Sequence, residues 1–298
     1  MAGFDPRLCI PAFLHKEKKT VSLIREKKYL SANVVEMIVE APDIAATRKA
    51  GQFVVIMTDE RGERIPLTIV ESDAAAGTVT IIFQIVGKTT TCLADMNPGD
   101  ELYTVLGPLG RPTEIEKFGT TVCVGGGVGI GVAYPIAKAL REAGNRVISI
   151  IGARTKDILI LEDALSAISD RLITATDDGS YGVKGFVSDV LQELIDSGER
   201  IDRVFAVGPV PMMKVVCDVT RPADIATVVS LNPIMVDATG MCGACRVSVG
   251  NETKLACVDG PEFDGHQVDF ELLTTRLRMY YREEKEAMEN FRCRYDGK

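Results

Sequence analysis

Three cysteines and one aspartate are grouped near the end of the chain at a spacing suited to metal binding. Asp237 is separated from Cys242 by four residues, Cys242 from Cys245 by two, and Cys245 from Cys257 by eleven. Thiolates and carboxylates bind iron or zinc. Glycines within the same loop permit the tight turns through which several side chains converge. The group therefore predicts a metal centre.

The spacing favours a two-iron, two-sulfur cluster. Plant-type [2Fe-2S] ferredoxins use Cys-x4-Cys-x2-Cys with a distant fourth cysteine, and this pattern is reproduced when Asp237 takes the first position. Two alternatives compete. A tetrahedral zinc site needs a fourth Cys or His, and the nearest histidine, His266, lies nine residues past Cys257. A redox-active pair of Cys242 and Cys245 leaves Cys257 without a role.

Three segments contain groups suited to phosphate-bearing cofactors. An arginine offers a forked donor to phosphate, and amides and hydroxyls at the start of a helix can bind phosphate as well. Glycines let a pyrophosphate approach the backbone, although the third segment departs from the Rossmann spacing. The segments are Arg64-Ile-Pro66-Leu67-Thr68, then Gln84-Ile-Val86-Gly87-Lys88-Thr89-Thr90-Thr91, then Val124-Gly125-Gly126-Gly127-Val128-Gly129-Ile130-Gly131.

The elements that position these residues change character along the chain. Residues 20–115 contain short alternating strands, predicted at 34–40, 52–57, 67–70, 79–86 and 101–106, which indicate an antiparallel barrel. Residues 116–231 alternate apolar strands (121–124, 146–151, 172–175, 203–207, 226–231) with helices (132–143, 161–168, 186–197, 210–220), which indicates a doubly wound parallel sheet. A small cluster domain is predicted at 232–298, with one charged helix at 268–289, and residues 1–19 are predicted to be an N-terminal arm.

Polar and glycine-containing turns follow three of the predicted parallel strands. Ligands of a doubly wound sheet bind outside the carboxyl ends of its strands. An aspartate there can bind a ribose diol and repel a 2′-phosphate, which favours NAD(H) over NADP(H), whereas an arginine favours the reverse. The residues concerned are Arg154, Asp177, Asp178, Gly208, Pro209 and Met212.

Composition bounds the partners and the compartment. The 298 residues are 46% hydrophobic, with a net charge of −8 and dispersed basic residues, so nucleic acid is not an expected partner. Neither a membrane span nor a signal peptide is predicted. Eight cysteines without an export signal indicate the cytoplasm, where clustered thiols bind metal and isolated thiols are buried. The isolated ones are Cys9, Cys92, Cys123, Cys217 and Cys293.

These motifs together resemble a known family. The Arg-x-Pro-Leu-Thr and Gly-Lys-Thr-Thr-Thr segments resemble the flavin segments of the ferredoxin reductase superfamily, and the glycine-rich turn resembles its nucleotide turn. Over about residues 21–277 the chain resembles the small subunit of NADH-dependent reduced ferredoxin:NADP oxidoreductase, also called the sulfide dehydrogenase beta subunit. The electron-transfer subunit of dihydroorotate dehydrogenase is related to it.

The resemblance implies an electron-transfer flavoprotein subunit with FAD, a [2Fe-2S] cluster and NAD(H), in which the cofactors carry the chemistry and no catalytic side chain is needed. It also implies a larger partner subunit with FAD and [4Fe-4S] clusters, and electron bifurcation that reaches ferredoxin through the complex. Asp237 separates the two related families, because the dihydroorotate dehydrogenase subunit has cysteine in that position. A rival from another class is a nucleotide-binding regulatory protein with structural zinc.

Overall fold

The computed structural model describes residues 22–295. The predicted arm at residues 1–19 lies outside the described residues, as do Cys9 and the side chain of Cys293. Among the other isolated cysteines, Cys123 and Cys217 are buried as expected, whereas Cys92 is only partly buried. No helix within residues 22–295 is long and apolar enough to cross a membrane.

The first part of the chain forms a seven-stranded antiparallel sheet that curls into a near-barrel, in the order β6-β1-β2-β5-β4-β3-β7. Alternating apolar residues such as Val35, Met37 and Val39 fill its interior. The elements are β1 (Ser22–Ser31), β2 (Val34–Glu40), α1 (Pro42–Thr47), β3 (Phe53–Met57), β4 (Ile65–Asp73), β5 (Thr78–Gln84), α2 (Lys88–Asp95), β6 (Glu101–Leu102) and β7 (Thr104–Leu109). The strand predicted at 101–106 is therefore two strands, interrupted at Tyr103.

The near-barrel opens between β4 and β5. Within the described strands, β4 pairs with β5 only from Ile69 to Asp73, and its first four residues pair with β3. A bulge between Ile69 and Glu71 accompanies this change of partner, and bulges bend the strand that carries them. Beyond Ile81, β5 pairs with β2 alone. A slot is thereby left between the start of β4 and the end of β5.

The second part is a parallel sheet with helices on both faces, in the order β11-β10-β9-β8-β12-β13-β16. Its elements are β8 (Thr120–Gly126), α3 (Ile130–Glu142), β9 (Arg146–Ala153), α4 (Glu162–Ile168), β10 (Arg171–Thr176), β11 (Val183–Lys184), α5 (Val187–Asp196), β12 (Arg203–Val207), α6 (Val210–Thr220) and β13 (Ala226–Ser230). The carboxyl ends of β8, β9, β10 and β12 lie at one edge of the sheet because these strands are parallel.

The third part contains β14 (Arg246–Val249), β15 (Glu252–Leu255), β16 (Glu262–Asp264), α7 (Phe270–Leu277) and α8 (Tyr281–Tyr295). Strand β16 joins the parallel sheet by antiparallel pairing with β13. The single helix predicted at 268–289 is wrong, since the chain forms two helices. The first helix closes at Arg278, whose backbone N–H turns back to the Thr275 and Arg276 carbonyls, and α8 then packs against α2 of the near-barrel.

Candidate functional site

The fold brings two of the predicted ligands together, since Cys245 ends the loop between β13 and β14 and Cys257 follows β15. The Sγ atoms of Cys245 and Cys257 lie 3.2 Å apart, and both residues are buried. Two thiolates on one tetrahedral metal, at about 2.3 Å each, would lie about 3.8 Å apart. Burial, then Cys245 and the Asp237 charge, raise the pKa of the Cys257 thiol to about 12. A buried thiolate pair here requires a cation, which fits an iron centre.

The other two predicted ligands lie in the loop between β13 and β14 (residues 231–245), called the cluster loop below. The Asp237 carboxylate accepts hydrogen bonds from the amides of Thr239 (3.0 Å) and Cys242 (2.9 Å). These bonds hold the pKa of Asp237 below its ordinary value. Cys242 is exposed, and its Sγ accepts from the Ala244 amide at 3.4 Å. The loop therefore presents an ionised carboxylate beside an accessible thiol, and its donor set suits ferric iron.

A single-ion zinc site finds no support in this arrangement. Among the described residues, no three His, Cys, Asp or Glu side chains converge on one metal position. The imidazole of His266 lies elsewhere, with its Nε2 2.9 Å from the Thr220 hydroxyl. A two-iron cluster needs a pair of ligands at each iron rather than three or four at one point, which is the arrangement of Cys245 with Cys257.

The two predicted flavin segments lie on either side of the slot between β4 and β5. Arg64 is exposed and immediately precedes β4, where Pro66, Leu67 and Thr68 pair with β3. Gln84 ends β5, and Val86 is 74% exposed. The buried Thr89 hydroxyl donates to the Glu63 carboxylate, which connects the two sides. The slot could therefore take a planar ring system.

The first turn of α2 has its donors on the backbone rather than on the side chains. The Thr90 hydroxyl accepts from the amides of Val86 (3.1 Å) and Gly87 (3.0 Å), and the Thr91 hydroxyl donates to the Gly87 carbonyl. These hydrogen bonds stabilise the first turn of α2. The first helical bond is from the Thr91 amide, so the amides of Lys88, Thr89 and Thr90 remain directed out of the helix end, where they can bind phosphate.

The glycine-rich turn after β8 packs against the turn after β12 and leaves one open position. A Cβ on Gly126 would overlap Met212 Sδ, and a Cβ on Gly129 would lie 2.5 Å from the Val207 carbonyl oxygen. Gly208 is also packed on Met212, and Pro209 precedes α6. Gly127, with φ +57°, faces open space, and Val128 and Ile130 continue into α3. This is a cradle that a side chain would fill.

The predicted specificity residues lie exposed at the ends of β9 and β10. The Asp178 carboxylate accepts from the Ser180 amide at 2.9 Å, and hydrogen bonds from Ser180 lower its pKa. Asp178 therefore stabilises the turn that follows β10. The Asp177 amide bonds to the Ala153 carbonyl, and the Asp177 carboxylate has no partner among the described residues. Arg154 is likewise exposed beside this turn.

Two further charged residues near the site were not predicted from the sequence. Arg276 on α7 donates from Nη2 to the Ala244 carbonyl, inside the cysteine loop, at 3.0 Å. Glu262 on β16 accepts from the Thr113 hydroxyl at 2.6 Å, and burial raises its pKa to about 7. Neither residue belongs to a recognisable motif, because each reaches its partner through the fold rather than through local spacing.

Comparison with known proteins agrees with the geometry. Residues 232–269 match the iron-sulfur cluster binding domain of dihydroorotate dehydrogenase B. An uncharacterised protein of Clostridium beijerinckii is 50% identical, over 89% of this chain and 92% of its own. A Thermotoga maritima homologue of the electron transfer subunit of dihydroorotate dehydrogenase B (NAD(+)) is 47% identical, over 90% of this chain and 94% of its own.

A solved structure extends the likeness to three dimensions. A chain from the structure of the NADH-dependent reduced ferredoxin-NADP oxidoreductase superposes with a TM-score of 0.86 at 47% identity, covering 91% of this chain and 98% of that one. The predicted fold class, the resemblance and the assignment to flavin and iron-sulfur oxidoreductase subunits are confirmed, as is the predicted set of cofactor types at the level of the family. The chain belongs to the family of dihydroorotate dehydrogenase B electron transfer subunits and their homologues.

Proposed function

We propose that the chain exchanges hydride with NAD(H) and passes single electrons to a larger subunit that carries FAD and [4Fe-4S] clusters, within an electron-bifurcating NADH-dependent reduced ferredoxin:NADP oxidoreductase. Asp237 is the main reason for choosing this oxidoreductase over a dihydroorotate dehydrogenase, because it puts a carboxylate in the first ligand position of the cluster motif. The 47% identity to a chain of that oxidoreductase supports the same choice. Ferredoxin is reached through the complex rather than by this chain.

In this proposal the chain binds its cofactors with the residues of the three regions. Cys245 and Cys257 hold one iron, and Asp237 and Cys242 hold the other. Bound FAD supplies the conversion between the two-electron chemistry of nicotinamide and the single electrons of the cluster. The Arg64 guanidinium and the first amides of α2 bind the flavin phosphates, while Pro66, Leu67, Thr68 and Gln84 line the slot.

The nucleotide binds at the carboxyl edge of the parallel sheet. Gly127 leaves room for the pyrophosphate, which the amino end of α3 attracts. Asp177 is the residue that favours NAD(H), since its exposed carboxylate can bind a ribose diol and repels a 2′-phosphate. Asp178 shapes the turn instead, because it is engaged with Ser180.

A second candidate is the electron transfer subunit of a dihydroorotate dehydrogenase. The match of residues 232–269 to the cluster domain of that enzyme and the name of the Thermotoga maritima relative favour it. The two functions differ in the partner subunit and in the first cluster ligand. Identification of the partner that co-purifies with the tagged full-length chain under anaerobic conditions separates them, and a dihydroorotate-binding partner would contradict our choice.

Spectroscopy of the cluster tests the role of Asp237. In the Asp237→Cys variant we expect the cluster to be retained, with an altered EPR spectrum in the reduced state and a shifted potential, because a thiolate replaces a carboxylate. Asp259→Asn is the matched control, since Asp259 lies two residues past Cys257 but its carboxylate accepts a hydrogen bond from the Leu255 amide. An unaltered spectrum in Asp237→Cys would exclude the carboxylate as a ligand. A colourless wild-type protein with zinc and no flavin would exclude the redox function altogether.

A further inference from the structure

Arg276 combines two features that set it apart from the other arginines of the described chain. Its Nη2 donates to the Ala244 carbonyl, which lies between Cys242 and Cys245. Its Nε is buried, and among the described residues it is the one buried side-chain nitrogen or oxygen without a hydrogen-bond partner. Leaving a buried cationic donor unpaired is unfavourable, so an acceptor is expected beside this guanidinium.

The cluster loop is where such an acceptor would lie. A [2Fe-2S] cluster with three thiolates and a carboxylate has a net negative charge, and reduction makes it more negative by one. The buried Cys245 ends the loop that Arg276 contacts, and the buried Cys257 sulfur lies 3.2 Å from the Cys245 sulfur. A fixed cation in a partly buried position stabilises the added electron more than an exposed one, because water screens it less.

A second cation on the loop provides an internal comparison. The Arg246 guanidinium lies over Gly243, with Nη1 3.0 Å from where a Cβ would be. Arg246 is exposed, however, whereas Arg276 is only partly exposed and its Nε is buried. The carboxylate of Asp259, two residues past Cys257, is paired with Arg111 at 3.5 Å. Arg276 is therefore the cation whose charge is least screened at the loop.

We propose that Arg276 tunes the reduction potential of the cluster, holding it higher by placing a partly buried positive charge against the Cys242-Gly243-Ala244-Cys245 turn. The inference rests on the proposed function only in requiring that this loop hold the cluster. Arg276 has a positive charge and also donates a hydrogen bond to the Ala244 carbonyl. Substitutions that keep or remove the charge separate these two effects.

The test is an EPR-monitored redox titration of the full-length chain. Arg276→Gln and Arg276→Met remove the charge, Arg276→Lys keeps it, and Arg278→Gln is the control, since Arg278 is an exposed arginine two residues further along. At a fixed solution potential we expect the ratio of reduced to oxidised cluster to fall about tenfold in the two neutral variants, which corresponds to about 59 mV for one electron. The lysine variant and the control should remain within about threefold of wild type.

The outcomes separate this inference from the proposed function. The ratio is read from the cluster-containing fraction, so partial loading does not affect it. A wild-type ratio in the neutral variants, or an equal fall in the lysine variant, would overturn the role of the charge. Loss of the cluster from both neutral variants with native circular dichroism would also overturn it, because Arg276 would then be needed for cluster binding. Absence of any cluster signal from the wild type would instead refute the proposed function.

Discussion

Glu262 predicts a specific dependence of stability on pH. It lies on β16, where it accepts a 2.6 Å hydrogen bond from Thr113 in the segment that connects the near-barrel to the parallel sheet. Burial raises its pKa from an ordinary 4.5 to about 7, against the opposing effect of the Thr113 hydroxyl. Between these two values the folded protein keeps a proton that the unfolded chain releases. Stability attributable to this carboxyl is therefore complete below pH 4.5 and is lost as the pH rises towards 7.

The size of the effect follows from the two pKa values. At about 1.4 kcal/mol per tenfold difference, the free energy of unfolding is lower than at acid pH by about 3 kcal/mol at pH 8, where Glu262 is ionised in both states, and by about 1.4 kcal/mol at pH 5.5, where it is ionised only in the unfolded chain. Glu262→Gln keeps an acceptor for Thr113 and cannot ionise. We therefore expect this variant to be more stable than wild type by these amounts, with the larger gain at pH 8.

Urea unfolding followed by far-UV circular dichroism measures the gain, since the chain has no tryptophan. Glu252→Gln is the control, because its exposed carboxylate has a pKa lowered by Lys254 and titrates below the range of the experiment. An equal gain for Glu262→Gln at pH 5.5 and pH 8, or none at pH 8, would refute a buried carboxyl that titrates near neutrality.

Three further predictions concern the nucleotide site. Gly127→Val should weaken NADH binding at least tenfold, about 1.4 kcal/mol, in fluorescence titration, because a branched side chain fills the cradle and opposes the positive φ. Gly126→Ala should lower the unfolding free energy by about 1–3 kcal/mol through overlap with Met212, and adding Met212→Ala should recover part of it; equal losses in single and double variants would exclude that overlap. Asp177→Ala should raise the preference for NADPH over NADH about tenfold in steady-state kinetics, and an unchanged preference would remove Asp177 from the specificity argument.

The elements of the parallel sheet could be predicted closely because their signals are local. The strand at Arg203–Val207 and the helix at Val210–Thr220 have the predicted bounds, since apolar runs and turn residues mark both ends. Strand β1 was missed, because only two of its ten residues are buried and the pattern does not alternate cleanly. The break between α7 and α8 was also missed, since no proline or glycine marks the turn at Arg278.

The cluster ligands could be proposed from the sequence because Asp237, Cys242 and Cys245 lie close together and Cys257 follows one short hairpin, so that their spacing is visible. Arg276 and Glu262 could not, because each reaches its partner only in the folded chain. Which hydroxyls are free was not visible: the polar run at Thr89–Thr91 suggested side-chain donors, but the fold engages these hydroxyls with Glu63 and the backbone around Gly87. We therefore propose that the backbone amides of this turn, rather than its hydroxyls, bind phosphate.

The position of the cluster relative to the other sites depends on contacts between residues far apart in the chain. Strand β16 fixes the cluster domain to the parallel sheet through its pairing with β13, and the Arg111 amide bonds to the Gly260 carbonyl at 2.6 Å beside it. Glu262 bridges the same junction to Thr113. The cluster domain is thus joined to both other parts rather than attached by a linker. Electron transfer requires fixed distances between the redox centres. We therefore infer that this junction sets the position of the cluster domain relative to the flavin and nucleotide sites. The motifs at the three sites cannot specify those distances, because each motif is local.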